Sequence, residues 1–155
     1  MSTYEVTRKA IIPAEAGEVF PLVNSFRNWT EWSPWEGMDP EMDRDYSGSE
    51  SGVGARYAWS GNRKAGAGTM EIVESNEPNT IRIRLEFTKP FKSVSPTVFT
   101  FTPSGSWTEV TWTMTGENKG IGKVFALFMN MDKMIGRDFE KGLASLRAAV
   151  ARRQG

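Results

Sequence analysis

The chain of 155 residues contains no cysteine and no histidine. The first absence removes disulfides, thiolate metal ligands and thiol nucleophiles together. The second removes the side chain most used as a general base near neutral pH and as a zinc ligand. Charge of one sign is missing too, since 19 Lys plus Arg balance 19 Asp plus Glu. Proteins that hold nucleic acid by neutralising phosphates carry a basic surplus, so nucleic acid is not an expected partner. No apolar run approaches the roughly 18 residues of a spanning helix, so no transmembrane segment is expected. The opening MSTYEVTRKAIIP has neither an apolar signal core nor a small-residue cleavage site, which points to the cytoplasm. Glycine-rich SGNRKAGAG lacks the Lys-Ser/Thr ending of a phosphate loop and reads as a hairpin turn. No metal site and no cofactor are expected.

What the chain does have is indole. The stretch NWTEWSPWEG places Trp29, Trp32 and Trp35 among Thr30, Glu31, Ser33 and Pro34. Burying one such ring is worth up to about 4–6 kcal/mol by area, and three exposed side by side would invite aggregation. Three uses are open. Trp29 and Trp32 can belong to the core, or Trp32 and Trp35 can wall a ligand cavity, presenting an apolar body and an N–H. A stacking platform for single-stranded nucleic acid would need interleaved Lys and Arg, which are not there. Ser33-Pro34 should end any helix and present Trp35 on a loop.

The rest of the chain divides by periodicity. Tyr4 to Ile12 is rich in strand formers and closes at Pro13. Pro13 then opens a helical stretch with Glu15 and Glu18 early and Val19, Phe20, Leu22 and Val23 as its apolar face; with Pro21 inside it, the helix is short, kinked, or begins later than Pro13. From Met42 to Thr115 the period is two. Val53-Ala55-Tyr57-Trp59, Met70-Ile72, Ile81-Ile83-Leu85-Phe87, Phe99-Phe101 and Val110-Trp112-Met114 alternate with polar or small residues. SGSESG, SNEPN, TKPFKS and PSGS punctuate these runs as turns. Lys119 to Arg153 returns to helical spacing, with Ile121, Phe125, Phe128, Asp132, Ile135, Phe139, Leu143, Leu146 and Val150 on one stripe. Gly136 and Gly142 sit in that helix, where the commonest reason for glycine is the close approach of a strand. Arg147, Arg152 and Arg153 suit its C-terminal dipole.

A half-dry sheet needs a cover and a striped helix needs a bed. The expected architecture is α+β: a curved antiparallel sheet of six to seven strands around a long C-terminal helix, with two short helices after the first strand. This is a helix-grip, one domain over residues 1–155.

WTEWSPWEG, GVGARYAW, the KPF turn, TEVTWTMTG and DKMIGRDFEKGL, in this order, make the chain similar to the bacterial polyketide cyclase/dehydrase branch of the START-like (SRPBCC) superfamily. The resemblance implies a deep apolar cavity between sheet and long helix, used across the superfamily for lipid carriage, polyketide cyclisation, hormone sensing or chaperone regulation. It supplies no catalytic motif to carry across.

Asp132 is the one charge on the apolar stripe, so it reaches a wet cavity, pairs with a cation, or is protonated. Tyr57 and Trp59 should face the same interior. The expected lining is Trp32, Trp35, Tyr57, Trp59, Met70, Phe87, Phe99, Trp112, Phe128 and Asp132, around a small hydrophobic or aromatic ligand. Two other readings remain: a cyclase/dehydratase-type enzyme with Asp132 and Tyr57 as acid–base groups, and a protein- or membrane-surface module using the basic, Met-rich last helix. A homodimer is left open as well.

Overall fold

The computed structural model describes residues 2–36, 39–62, 65–89, 92–118 and 124–154, with side chains described except at 2, 3, 117, 118 and 124–132. Ile121, Phe125 and the Pro90-Phe91 turn lie outside those described residues or side chains. Strand β1 (Ser2–Ile12) is followed by α1 (Ala16–Asn24) and a six-residue 3-10 turn of helix (Phe26–Glu31). Then come β2 (Asp43–Gly48), β3 (Ala55–Ser60), β4 (Ala67–Asn76), β5 (Thr80–Lys89), β6 (Ser93–Ser104) and β7 (Trp107–Asn118). The chain ends in α2 (Val124–Gln154), 31 residues and about 46 Å long. The seven strands form one antiparallel sheet in the order β1-β7-β6-β5-β4-β3-β2, so β2 to β7 is a meander and β1 closes onto its last strand. This is the helix-grip arrangement.

Two boundaries differ from the sequence reading. α1 begins at Ala16 rather than at Pro13, with extended Glu15 as its N-cap, because Ile12 still pairs with Thr108 and the chain needs two residues to turn off the sheet. Pro21 is accommodated inside α1. Strand β3 begins at Ala55, and Val53 lies exposed in the preceding turn instead of on the inward face.

The core occupies the concave face unevenly. α2 packs chiefly along β1, and α1 packs on β6 and β7. Phe139, Leu143, Leu146, Ala149 and Val150 of α2 are fully buried there, beside Phe20, Leu22, Phe101 and Val110. Trp112 of β7 sits at the centre, stacked on Phe139 at 3.9 Å between ring centroids and on Phe99 at 4.7 Å. Among the described residues the helices pack mainly on β1, β6 and β7, at one end of the seven-stranded sheet.

Candidate functional site

Over β3, β4 and β5 lies a hollow of ≈ 340 Å³. Its floor comes from alternate residues of the strands: Tyr46 of β2, Tyr57 and Trp59 of β3, Met70 of β4, Leu85 and Phe87 of β5, and Met114 of β7. Its roof is Phe26, Trp29, Ser33, Trp35 and Glu36 from the segment after α1, and Met134, Ile135 and Asp138 from α2. A cavity in this range is large enough for a drug-sized ligand. It is about twice the volume of an engineered apolar cavity that holds benzene, so it suits a molecule of roughly two rings.

The floor is an aromatic ladder. Tyr46 pairs directly across from Tyr57 in the β2–β3 register, their rings 5.1 Å apart. Tyr57 stacks on Trp59 at 6.0 Å and 15°, and Trp59 meets the edge of Phe87 at 5.8 Å. The Trp59 ring lies across β4 at Gly68, where a Cβ would stand 2.7 Å from the ring. The indole N–H of Trp59 donates to the Ala65 carbonyl at 2.9 Å, which holds the ring flat along the wall.

Polar groups cluster at one end. Arg44 Nη2 lies 2.5 Å from Glu36 Oε1. Trp35 donates its indole N–H to Asp138 Oδ2 at 3.1 Å, joining the loop to α2 across the roof. Burial pushes the Tyr57 phenol up to about 12, with Tyr46 and the Glu36 carboxylate pushing the same way against Arg44. Burial and Glu36 also raise Tyr46, opposed by Arg44 and Arg27. Both phenols therefore stay protonated at neutral pH and act as hydrogen-bond donors, not bases.

Of the ten expected lining residues, the structure brings five to the hollow: Trp35, Tyr57, Trp59, Met70 and Phe87. Trp32, Phe99 and Trp112 do not line it. They are fully buried in the aromatic cluster under α2, because the helix covers their part of the concave face. The side chains of Phe128 and Asp132 lie outside the described residues. Alternation put Phe99 and Trp112 on the correct face but could not tell which part of that face is covered.

Trp29 does both jobs, 5% exposed and on the cavity roof. Glu36, Tyr46, Leu85 and Asp138 were not singled out from sequence. Asp138 is three residues after Ile135 on the flank of the helical stripe, a spacing that could have found it. Tyr46 needs the strand register to be placed opposite Tyr57. Among the described residues no group of acidic side chains could hold a metal ion, and no helix is long and apolar enough to cross a membrane.

Residues 3–151 match the family model described as Polyketide cyclase / dehydrase and lipid transport. No curated relative matches the sequence. Among solved structures the chain is similar to TTHA0849 from Thermus thermophilus, with TM-score 0.69 at 19% identity over 97% of this chain and 99% of that one. It is similar to CV1439 from Chromobacterium violaceum, with TM-score 0.67 at 12% identity over 95% and 97% of the two chains. It is also similar to the Aha1 dimer from Colwellia psychrerythraea, with TM-score 0.65 at 13% identity over 94% and 95%. At these identities the likeness is one of fold.

Proposed function

Since the chain belongs to the polyketide cyclase/dehydrase and lipid transport family of START-like proteins, we propose that it binds a small hydrophobic or aromatic molecule between β3–β5 and α2. The observation that carries this reading is the contrast within one core. Under α2 the rings of Phe99, Trp112 and Phe139 stack at 4.7 and 3.9 Å between centroids, while Tyr57, Trp59, Met70 and Phe87 line a hollow of ≈ 340 Å³. An apolar wall left unfilled forfeits dispersion contacts and the free energy of burial. A ligand of matching size restores both, and the protonated phenol of Tyr57 can orient a carbonyl or hydroxyl on it.

An environment-sensitive naphthalene dye, followed by displacement or native mass spectrometry, tests the reading. Saturable binding at one site per chain is expected, weakened at least tenfold by Leu85→Trp, which fills the hollow from its floor. Failure of every hydrophobic probe to bind would end the proposal.

The enzymatic version of this reading used Asp132 and Tyr57 as an acid–base pair. A phenol raised to about 12 is a poor base at neutral pH, so Tyr57 serves such chemistry only as a donor. The surface-module reading drew on the basic end of α2. There Arg153 is engaged with Glu31 at 2.5 Å and Arg152 Nη2 donates to the Glu31 carbonyl at 3.2 Å, so two of its three arginines serve the fold.

A further inference from the structure

The hollow carries an unbalanced charge. Glu36 and Asp138 line it, and among the described residues no lysine or arginine does. Glu36 is neutralised by Arg44. Asp138 is not: its Oδ2 accepts the Trp35 indole N–H, and no ion pair joins it to a described cation. An indole N–H is a neutral donor, so it occupies a lone pair and leaves the charge in place. When a neutral apolar molecule fills the space, it strips water from this carboxylate and returns nothing. A protonated nitrogen would return a charge-assisted hydrogen bond.

The walls point to the same chemistry. Trp35, Tyr46, Tyr57 and Trp59 line the hollow, and aromatic faces attract cations through their quadrupoles. One of these rings already does so, since the Arg27 guanidinium lies 4.6 Å from the centroid of Tyr46. Aromatic walls and one carboxylate with no ion-pair partner among the described residues make a receptor for an organic ammonium. We infer that the preferred occupant is a small ring-bearing amine, its protonated nitrogen held at Asp138 and its ring body laid along Tyr57 and Trp59. The inference rests on the ligand-binding reading above and sharpens it to a charge class.

Naphthylmethylamine, an ammonium at neutral pH, and naphthylmethanol, its neutral counterpart, separate the two levels. Isothermal titration of each into the full chain should show the amine binding roughly three- to thirty-fold tighter. The amine-to-alcohol affinity ratio should fall close to one in Asp138→Asn and stay well above one in Asp138→Glu. If Asp138→Asn does not fold by circular dichroism, Asp138→Ser supplies the uncharged comparison. Equal affinities in the unmodified chain overturn the charge inference and leave the cavity reading standing. A preference that survives removal of the Asp138 charge also overturns it. Binding of neither probe removes both readings.

Discussion

Tyr57 shows how one side chain takes its chemistry from its neighbours. Its ring is held between Tyr46 and Trp59, and with its phenol raised to about 12 the proton is retained well beyond the ordinary value of 10.0. The charged form is disfavoured in the folded state, so stability is intact below pH 10 and falls as pH rises towards 12. Tyrosinate absorbance should therefore show a late-titrating phenol that Tyr57→Phe removes, and the variant should lose less stability than the parent across that interval.

The two glycines of α2 make a second test at this scale. A Cβ at Gly142 would lie 2.9 Å from both Pro34 Cδ and Trp112 Cζ3, two rigid rings packed in the core. A Cβ at Gly136 would meet the guanidinium of Arg8, the far end of a long side chain that also reaches Glu140 at 3.3 Å. Alanine gains about 1 kcal/mol in a helix over glycine, but overpacking costs ~1–3 kcal/mol where neighbours cannot move. Gly142→Ala should be net destabilising in urea titration, and Gly136→Ala should be nearly neutral or slightly stabilising. The expected close approach is present at both positions, made by side chains: Arg8 of β1 at Gly136, and Trp112 of β7 together with Pro34 at Gly142.

At the scale of elements, the tryptophan-rich stretch has a role that no periodicity displays. A helix leaves its last four carbonyls without partners, and α1 ends in extended Ser25 with no glycine to wrap them. All four are nevertheless met from outside. Asn28 Nδ2 donates to the Pro21 carbonyl at 3.0 Å, Trp32 Nε1 to Leu22 at 2.8 Å, Trp29 Nε1 to Val23 at 2.9 Å, and the Gly52 amide to Asn24 at 2.9 Å. Two indoles thus cap a helix while their ring bodies fill the space between α1 and the sheet. Trp32→Phe keeps much of the volume but leaves a buried carbonyl unpaired, which costs about 1–3 kcal/mol. Chemical denaturation should register that loss with an unchanged m-value.

The C-terminus of α2 is tied to the same segment by Arg153 and Glu31. Arg153 holds the Glu31 carboxyl below its usual 4.5. Both groups are partly exposed, so solvent screening limits the pair to at most ~1 kcal/mol. Because the carboxyl is depressed, this contribution is present above pH 4.5 and lost as the carboxyl is protonated below it. The stability gap between the parent and Glu31→Gln should close over that acid range.

For the whole molecule, the decisive feature is that two short helical segments and one long helix cannot cover seven strands. α2 follows β1, α1 follows β6 and β7, and the remaining concave surface becomes the hollow. Anything that fills it binds the folded chain alone and stabilises it by mass action, about 2.7 kcal/mol at a hundred-fold excess over Kd. For a domain of this size that is roughly 5–10 °C in melting temperature. A hydrophobic probe should produce such a shift in the parent chain and much less of one in Leu85→Trp.

The amino-acid order alone determined most of the elements and the faces of their strands, Val53 excepted. Period two from Met42 to Thr115 specified a meander with one dry side, and the stripe from Ile135 to Val150 specified the long helix laid on it. Motifs spread from Trp29 to Leu143 were enough to place the chain in its superfamily. Which aromatic residues stand at the hollow and which are sealed in the core was decided only in three dimensions. Trp112 and Trp59 have the same alternation on the same sheet, yet one is stacked on Phe139 and the other lines the hollow. Alternation assigns a side chain to a face of the sheet, whereas its exposure on that face depends on where a helix distant in sequence comes to rest.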